Sequence, residues 1–159
     1  MAIRNAAKAI VIRDGKVLLN RCVNDDNEIY YDLPGGGQHQ FETMEEAVMR
    51  EVLEETGYYV KINRFVALAE EIYDDLKVRE KYCDYSHRIL HIFLTELASE
   101  QTIDPIETDF HQEESVWLSY EEADKMTFCP RQLSGRISQL IFGDTPQYLG
   151  NIHISNKQL

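Results

Sequence analysis

Three glutamates, Glu51, Glu54 and Glu55, sit at positions i, i+3 and i+4 of one short amphipathic stretch. At 3.6 residues per turn, that spacing brings their side chains to one face of a helix. Carboxylates so close repel one another, and the arrangement costs helix stability unless a cation offsets it. Carboxylate oxygens suit hard divalent ions such as Mg²⁺ or Mn²⁺, and Mg²⁺ typically bridges a few carboxylates to substrate phosphates. The residues point to metal-assisted chemistry at a phosphate.

The helix that must carry them is well marked. Thr43-Met44-Glu45-Glu46 has the spacing of a capping box, and Gly57 suits the C-terminal stop. Val48, Met49, Val52 and Leu53 form an apolar stripe beside the acidic face, so one side is expected to bury against a sheet while the other looks into a cleft. Upstream, residues 6–13 and 16–22 read as strands joined at Asp14-Gly15, a strong hairpin turn signal. Residues 30–33 read as a third strand, ended by Pro34 and a turn of three glycines, 35–37. Downstream, 59–69 and 89–97 are rich in β-branched and aromatic residues and read as longer strands, with a shorter one at 115–118. Residues 120–126 suggest a brief helical turn. Residues 131–142 predict a second helix, with Leu133, Ile137, Leu140 and Ile141 on its apolar face. The fold class is α/β (α+β): one mixed sheet with helices packed around it. Residues 1–159 read as a single domain, with 147–159 as a C-terminal tail.

From Gly36 to Tyr58 the chain reads GGQHQFETMEEAVMREVLEETGY, which resembles the signature of the Nudix hydrolases, the MutT-like family. That signature runs Gly, five residues, Glu, seven residues, then Arg-Glu-aliphatic-x-Glu-Glu-x-Gly-aliphatic. Gly36, Glu42, Arg50, Glu51, Val52, Glu54, Glu55 and Gly57 match it, and Tyr58 departs from it. His39 and Phe41 stand where many members carry Glu and Gly. The resemblance implies an α/β/α Nudix sandwich and hydrolysis of a pyrophosphate bond in a nucleoside diphosphate linked to another group. It implies Mg²⁺, with Mn²⁺ as a substitute, held by Glu51, Glu54, Glu55 and the carbonyl of Gly36, with Glu42 peripheral. Arg50 would fix an acidic side chain by charge-assisted hydrogen bonds. A later-loop glutamate often orients the water, and Glu113 or Glu114 occupies about that region, with Glu107 and Asp109 as weaker candidates. A tyrosine some sixteen residues beyond the box resembles that of the dinucleoside polyphosphate hydrolases, which singles out Tyr73. Arg88 and Phe128 are further candidates for contacting substrate. His87 and His91 share one face of a strand, and without a third ligand they read as satisfied polar residues.

Composition bounds the alternatives. The chain has 159 residues, 43% of them hydrophobic and 28% charged, which suits one soluble domain. The formal net charge of −12 argues against duplex nucleic acid as a partner. No apolar run approaches the roughly 20 residues of a membrane span, so no membrane partner is expected. Three cysteines without paired spacing read as reduced thiols and a cytoplasmic setting. The expected partner is a small nucleotide-type molecule, and a homodimer suits the family. The rival reading is a Nudix-fold module that binds a nucleotide or sugar nucleotide without cleaving it. A protein-interaction role rests only on the acidic surface and the tail.

Overall fold

A computed structural model describes residues 3–108 and 111–155. The chain opens as a hairpin of β1 (Arg4–Arg13) and β2 (Lys16–Val23). Asp14 and Gly15 take φ of 49° and 74°, the left-handed pair that lets a two-residue turn match strand twist. Then follow β3 (Ile29–Asp32), β4 (Gly35–Gly37), α1 (Met44–Thr56), β5 (Tyr58–Tyr73), α2 (Leu76–Lys81) and β6 (His87–Thr102). The chain continues as β7 (Gln112–Ser119), α3 (Tyr120–Ala123), a 3-10 turn at Arg131–Leu133, α4 (Ile137–Phe142) and β8 (Gln147–Ile154).

The sheet runs β3-β2-β1-β6-β5-β8, with β4 added to β1 and β7 to β2. The β1–β6 and β5–β8 pairs are parallel and the others antiparallel, so the sheet is mixed as expected. β1 changes partner along its length. Val11–Arg13 pair with β2, whereas Ala6–Lys8 pair with the glycines of β4. β2 thereby diverges to pair with β3 and β7, and the sheet splays at the end where α1 is anchored.

Two apolar clusters fill the two faces, giving the α/β/α layering. On one side Ala47, Val48 and Val52 of α1 pack on Ala7, Ala9, Val11, Leu18, Val60 and Phe93. Burying Val48 and Val52 contributes about 1.5–3 kcal/mol each. On the other, Ala123, Phe128, Leu133, Ile137, Leu140 and Ile141 cover Ile10, Ala67, Ala69, Leu90 and Ile92. Among the described residues no helix is long and apolar enough to cross a membrane.

Four expectations change. The three glycines form a strand rather than a turn. A Cβ at Gly35 would stand 2.1 Å from the Ala7 carbonyl oxygen, so only glycine allows that pairing. The apolar stripe of α1 is narrower than expected: Met49 is exposed and Leu53 half-buried, while Ala47 and Glu55 are buried. The 131–142 helix is broken, because Gly135 is left-handed (φ 73°) and the Ser134 hydroxyl accepts a bond from the Phe128 N–H; its four apolar residues are nonetheless buried. Residues 147–154 are an edge strand, not a tail, with Leu149 and Ile154 buried; residues 156–159 of that expected tail lie outside the described residues. The sequence reading also missed α2, which Asp75 caps by accepting from the Lys77 and Val78 amides.

Candidate active site

α1 begins as expected. The Thr43 hydroxyl accepts from the Glu46 N–H and the Glu46 carboxylate accepts from the Thr43 N–H, while Gly57 closes the helix in the left-handed region. A Cβ on Gly57 would stand 2.0 Å from the Ile103 carbonyl oxygen, so the same glycine admits the loop that runs beside the helix end. That loop is pinned by its backbone, since the Ile106 and Glu107 amides donate to the Glu54 carbonyl at 2.8 and 3.1 Å.

Between β4, the acidic face of α1, this loop and the adjoining ends of β1 and β6 lies a cleft of about 390 Å³. Arg50 organises its acidic wall. The guanidinium grips Glu42 with two bonds, Nε to Oε1 at 2.8 Å and Nη2 to Oε2 at 3.0 Å. Its Nη1 donates to Glu51 at 2.8 Å and Glu54 at 2.9 Å, and Nη2 also donates to the Gly37 carbonyl at 3.0 Å. All five N–H donors of the arginine are spent. The bond from Arg50, with the His39 N–H, holds the Glu42 carboxyl down at about 2. Bonding to Glu42, then Glu51 and Glu54, raises Arg50 above its ordinary value.

Glu51 and Glu54 therefore meet on one cation, each with one oxygen bonded to Arg50 and the other receiving no hydrogen bond among the described residues. Glu51 lies against the glycine strand, where a Cβ on Gly36 would stand 2.5 Å from its Oε2. Glu55 lines the same cleft but is held differently from the other two. It is buried, and its Oε2 accepts from Asn20 Nδ2 at 2.8 Å and the Gly35 N–H at 3.0 Å. Among the described residues no three acidic, histidine or cysteine side chains already stand as a cage for a metal ion. The donor chemistry still fits a hard divalent cation: two carboxylate oxygens open to the cleft beside the Gly36 backbone.

The other candidates separate. Glu107 and Arg88 line the cleft. Glu113 does not; it is paired with Arg21 on the β2–β7 ribbon, and Glu114 sits opposite Arg21 on the same ribbon, also outside the cleft wall. Asp109 lies outside the described residues. Phe128 is 1% exposed and belongs to the core, which corrects its expected contact with substrate. Tyr73 is also buried, away from the cleft lining, and burial raises its phenol. His39 borders the cleft, while Phe41 is 97% exposed. His87 bonds to Glu70 at 2.8 Å and His91 contacts Asn5 at 3.4 Å, as satisfied polar residues do.

The sequence reading missed Arg4 and Lys8 in the wall, although both fall on one face of β1, four residues apart. Lys8 is buried and donates to Asp32 at 2.8 Å and the Leu33 carbonyl at 3.1 Å. The alignment of Arg4 with Arg88 depends on a parallel pairing that no local pattern announces.

Comparison with known proteins agrees with this layout. An ADP-ribose pyrophosphatase from Methanocaldococcus jannaschii is 38% identical over 63 residues, covering 40% of this chain and 37% of that protein. The aligned region thus spans little more than a third of that relative. A MutT protein from Bacillus halodurans superposes with a TM-score of 0.69 at 19% identity, covering 99% of this chain and 94% of the other. A NUDIX hydrolase from Nitrosomonas europaea gives 0.68 at 17% identity, covering 97% and 81%. At such identities the superpositions speak for the fold alone. The model of the NUDIX domain matches residues 3–135, most of the chain and all of the glycine strand and acidic helix just described, so this protein belongs to the NUDIX family.

Proposed function

We propose that this protein is a divalent-metal-dependent hydrolase that cleaves a pyrophosphate bond in a nucleoside diphosphate linked to another group. The observation that carries this reading is the pair Glu51 and Glu54, drawn together by Arg50 with one oxygen each open to the cleft. Glu51, Glu54 and the Gly36 carbonyl would hold Mg²⁺, or Mn²⁺ in its place, with Glu42 and Glu55 keeping the helix and glycine strand in register. Such an ion polarises phosphoryl oxygens and lowers the pKa of a bound water toward roughly 7.

The chain's own residues do the rest. Arg50 lets two like charges share one face and fixes their rotamers, which is the positioning that phosphoryl transfer demands. Glu107 is the carboxylate we assign to orienting the attacking water and taking its proton, in preference to Glu113 and Glu114. It lines the cleft, and its loop is tied to the backbone of Glu54, whereas Glu113 is neutralised by Arg21. The glycine strand lets substrate oxygens approach backbone that any side chain would shield.

The test is a Mg²⁺-supplemented screen of ADP-ribose, dinucleoside polyphosphates, canonical and oxidised nucleoside triphosphates and sugar nucleotides, read by released phosphate or monophosphate. Turnover of at least one class, abolished by chelator, is expected. Tight binding with no turnover under Mg²⁺ or Mn²⁺ would overturn the hydrolase reading in favour of a nucleotide-binding module.

A further inference from the structure

The cleft carries a second set of charges that the chemistry proposed at α1 leaves unused. Arg4 of β1 and Arg88 of β6 are opposed residues in the parallel pairing, so their side chains leave the sheet as neighbours on one face, and both line the cleft. Two guanidinium groups side by side repel, and carboxylate relief is uneven. Arg88 is paired with Glu71, which is 1% exposed. Arg4 makes no ion pair among the described residues; its guanidinium stacks over the Tyr85 ring at 4.4 Å. The Arg88 Nε is buried with no hydrogen-bond acceptor among the described residues, an arrangement that native structures rarely leave unexplained.

The location of the pair is as informative as its charge. Gly36 and Gly37 touch the two sets in turn: a Cβ on Gly36 would stand 2.5 Å from a Glu51 carboxylate oxygen, and one on Gly37 would stand 2.0 Å from Arg4 Nη2. Successive residues of a strand face opposite sides, so the acidic set lies on the α1 side of the glycine strand and Arg4 on the other, and the one cleft that both line reaches across it. Groups bound at the two sets belong to neighbouring parts of one molecule.

We propose that Arg4 and Arg88 form an anion subsite for a phosphate beyond the two that flank the scissile bond. The cleft then selects nucleotides with three or more linked phosphates, such as a nucleoside triphosphate or a dinucleoside polyphosphate, over sugar-linked diphosphates. The inference rests on reading the cleft as a pyrophosphohydrolase site. A phosphate offers several acceptors that match the guanidinium fork and neutralise Arg4, whereas a sugar hydroxyl in that place leaves the charge uncompensated.

The test uses methylene-bridged analogues of a nucleoside diphosphate and triphosphate, which resist hydrolysis, titrated calorimetrically at one free Mg²⁺ concentration. The wild-type protein should bind the triphosphate analogue at least tenfold more tightly than the diphosphate, and Arg4→Gln should bring that ratio near one. Arg88→Lys keeps the charge that Glu71 needs but loses the Nε donor, and should lower the ratio at least threefold. Equal binding of both analogues by the wild type, or an unchanged ratio in a variant with wild-type melting temperature, overturns the subsite. Turnover of ADP-ribose and of a nucleoside triphosphate is measured beside the titrations. Turnover without the chain-length preference leaves the hydrolase standing and removes the subsite; the preference without turnover does the reverse.

Discussion

The two walls of the cleft handle charge in opposite ways. On α1, one arginine spends all five donors on three glutamates and a carbonyl, and the excess charge left over is negative. Across the glycine strand, one of two neighbouring arginines is paired with a buried carboxylate and the other makes no ion pair among the described residues, so the excess is positive. On the proposed function, one wall would gather a cation and the other an anion. A chain with a net charge of −12 can therefore admit a phosphorylated molecule, because the field at the site is set by its own residues.

The largest effect is expected on the acidic wall. Glu54→Gln removes the charge of a proposed metal donor but keeps shape and a hydrogen-bond acceptor for Arg50, so kcat should fall at least a hundredfold with little change in melting temperature. Steady-state kinetics beside a thermal melt check this. Near-normal turnover would reduce the acidic wall to a structural device.

The pH dependence of stability probes the Arg50 network itself. Glu42 is held near 2 against an ordinary 4.5, chiefly by Arg50, so its stabilisation is complete above about 4.5 and is lost as pH falls toward 2. Glu42→Gln should therefore melt several degrees below wild type at pH 7, with each kcal/mol worth about 2–4 °C at this size. The gap should close by pH 2. A gap that is constant across that range would mean that the ionised pair with Arg50 contributes nothing.

The smallest effect is expected at a residue outside both walls. Glu113→Gln breaks only an exposed pair with Arg21, and exposed pairs contribute about 0–1 kcal/mol. Its kcat should stay within roughly twofold of wild type, whereas Glu107→Gln should lose activity. The reverse order would return the water-orienting role to β7.

The legibility of the two walls differs for a physical reason. Thr43, Gly57 and the glutamate spacing act within a few residues of one another, so helix, caps and the meeting of Glu51 with Glu54 could be read locally. The turning of Glu55 toward Asn20 could not, because it needs β2 beside α1 across 35 positions. Arg4 and Arg88 are brought together only by the parallel β1–β6 register. Phe128 was misplaced for the related reason that a residue between short elements carries no periodicity, and packing alone decides whether it faces core or cleft.

Mn²⁺ titration followed by electron paramagnetic resonance, without substrate, tests the central claim most directly. The wild-type protein should bind at least one Mn²⁺, and the double variant Glu51→Gln/Glu54→Gln should lose that binding while keeping its fold by circular dichroism. Equal binding by the two proteins would contradict the assignment of Glu51 and Glu54 as the groups that hold the metal.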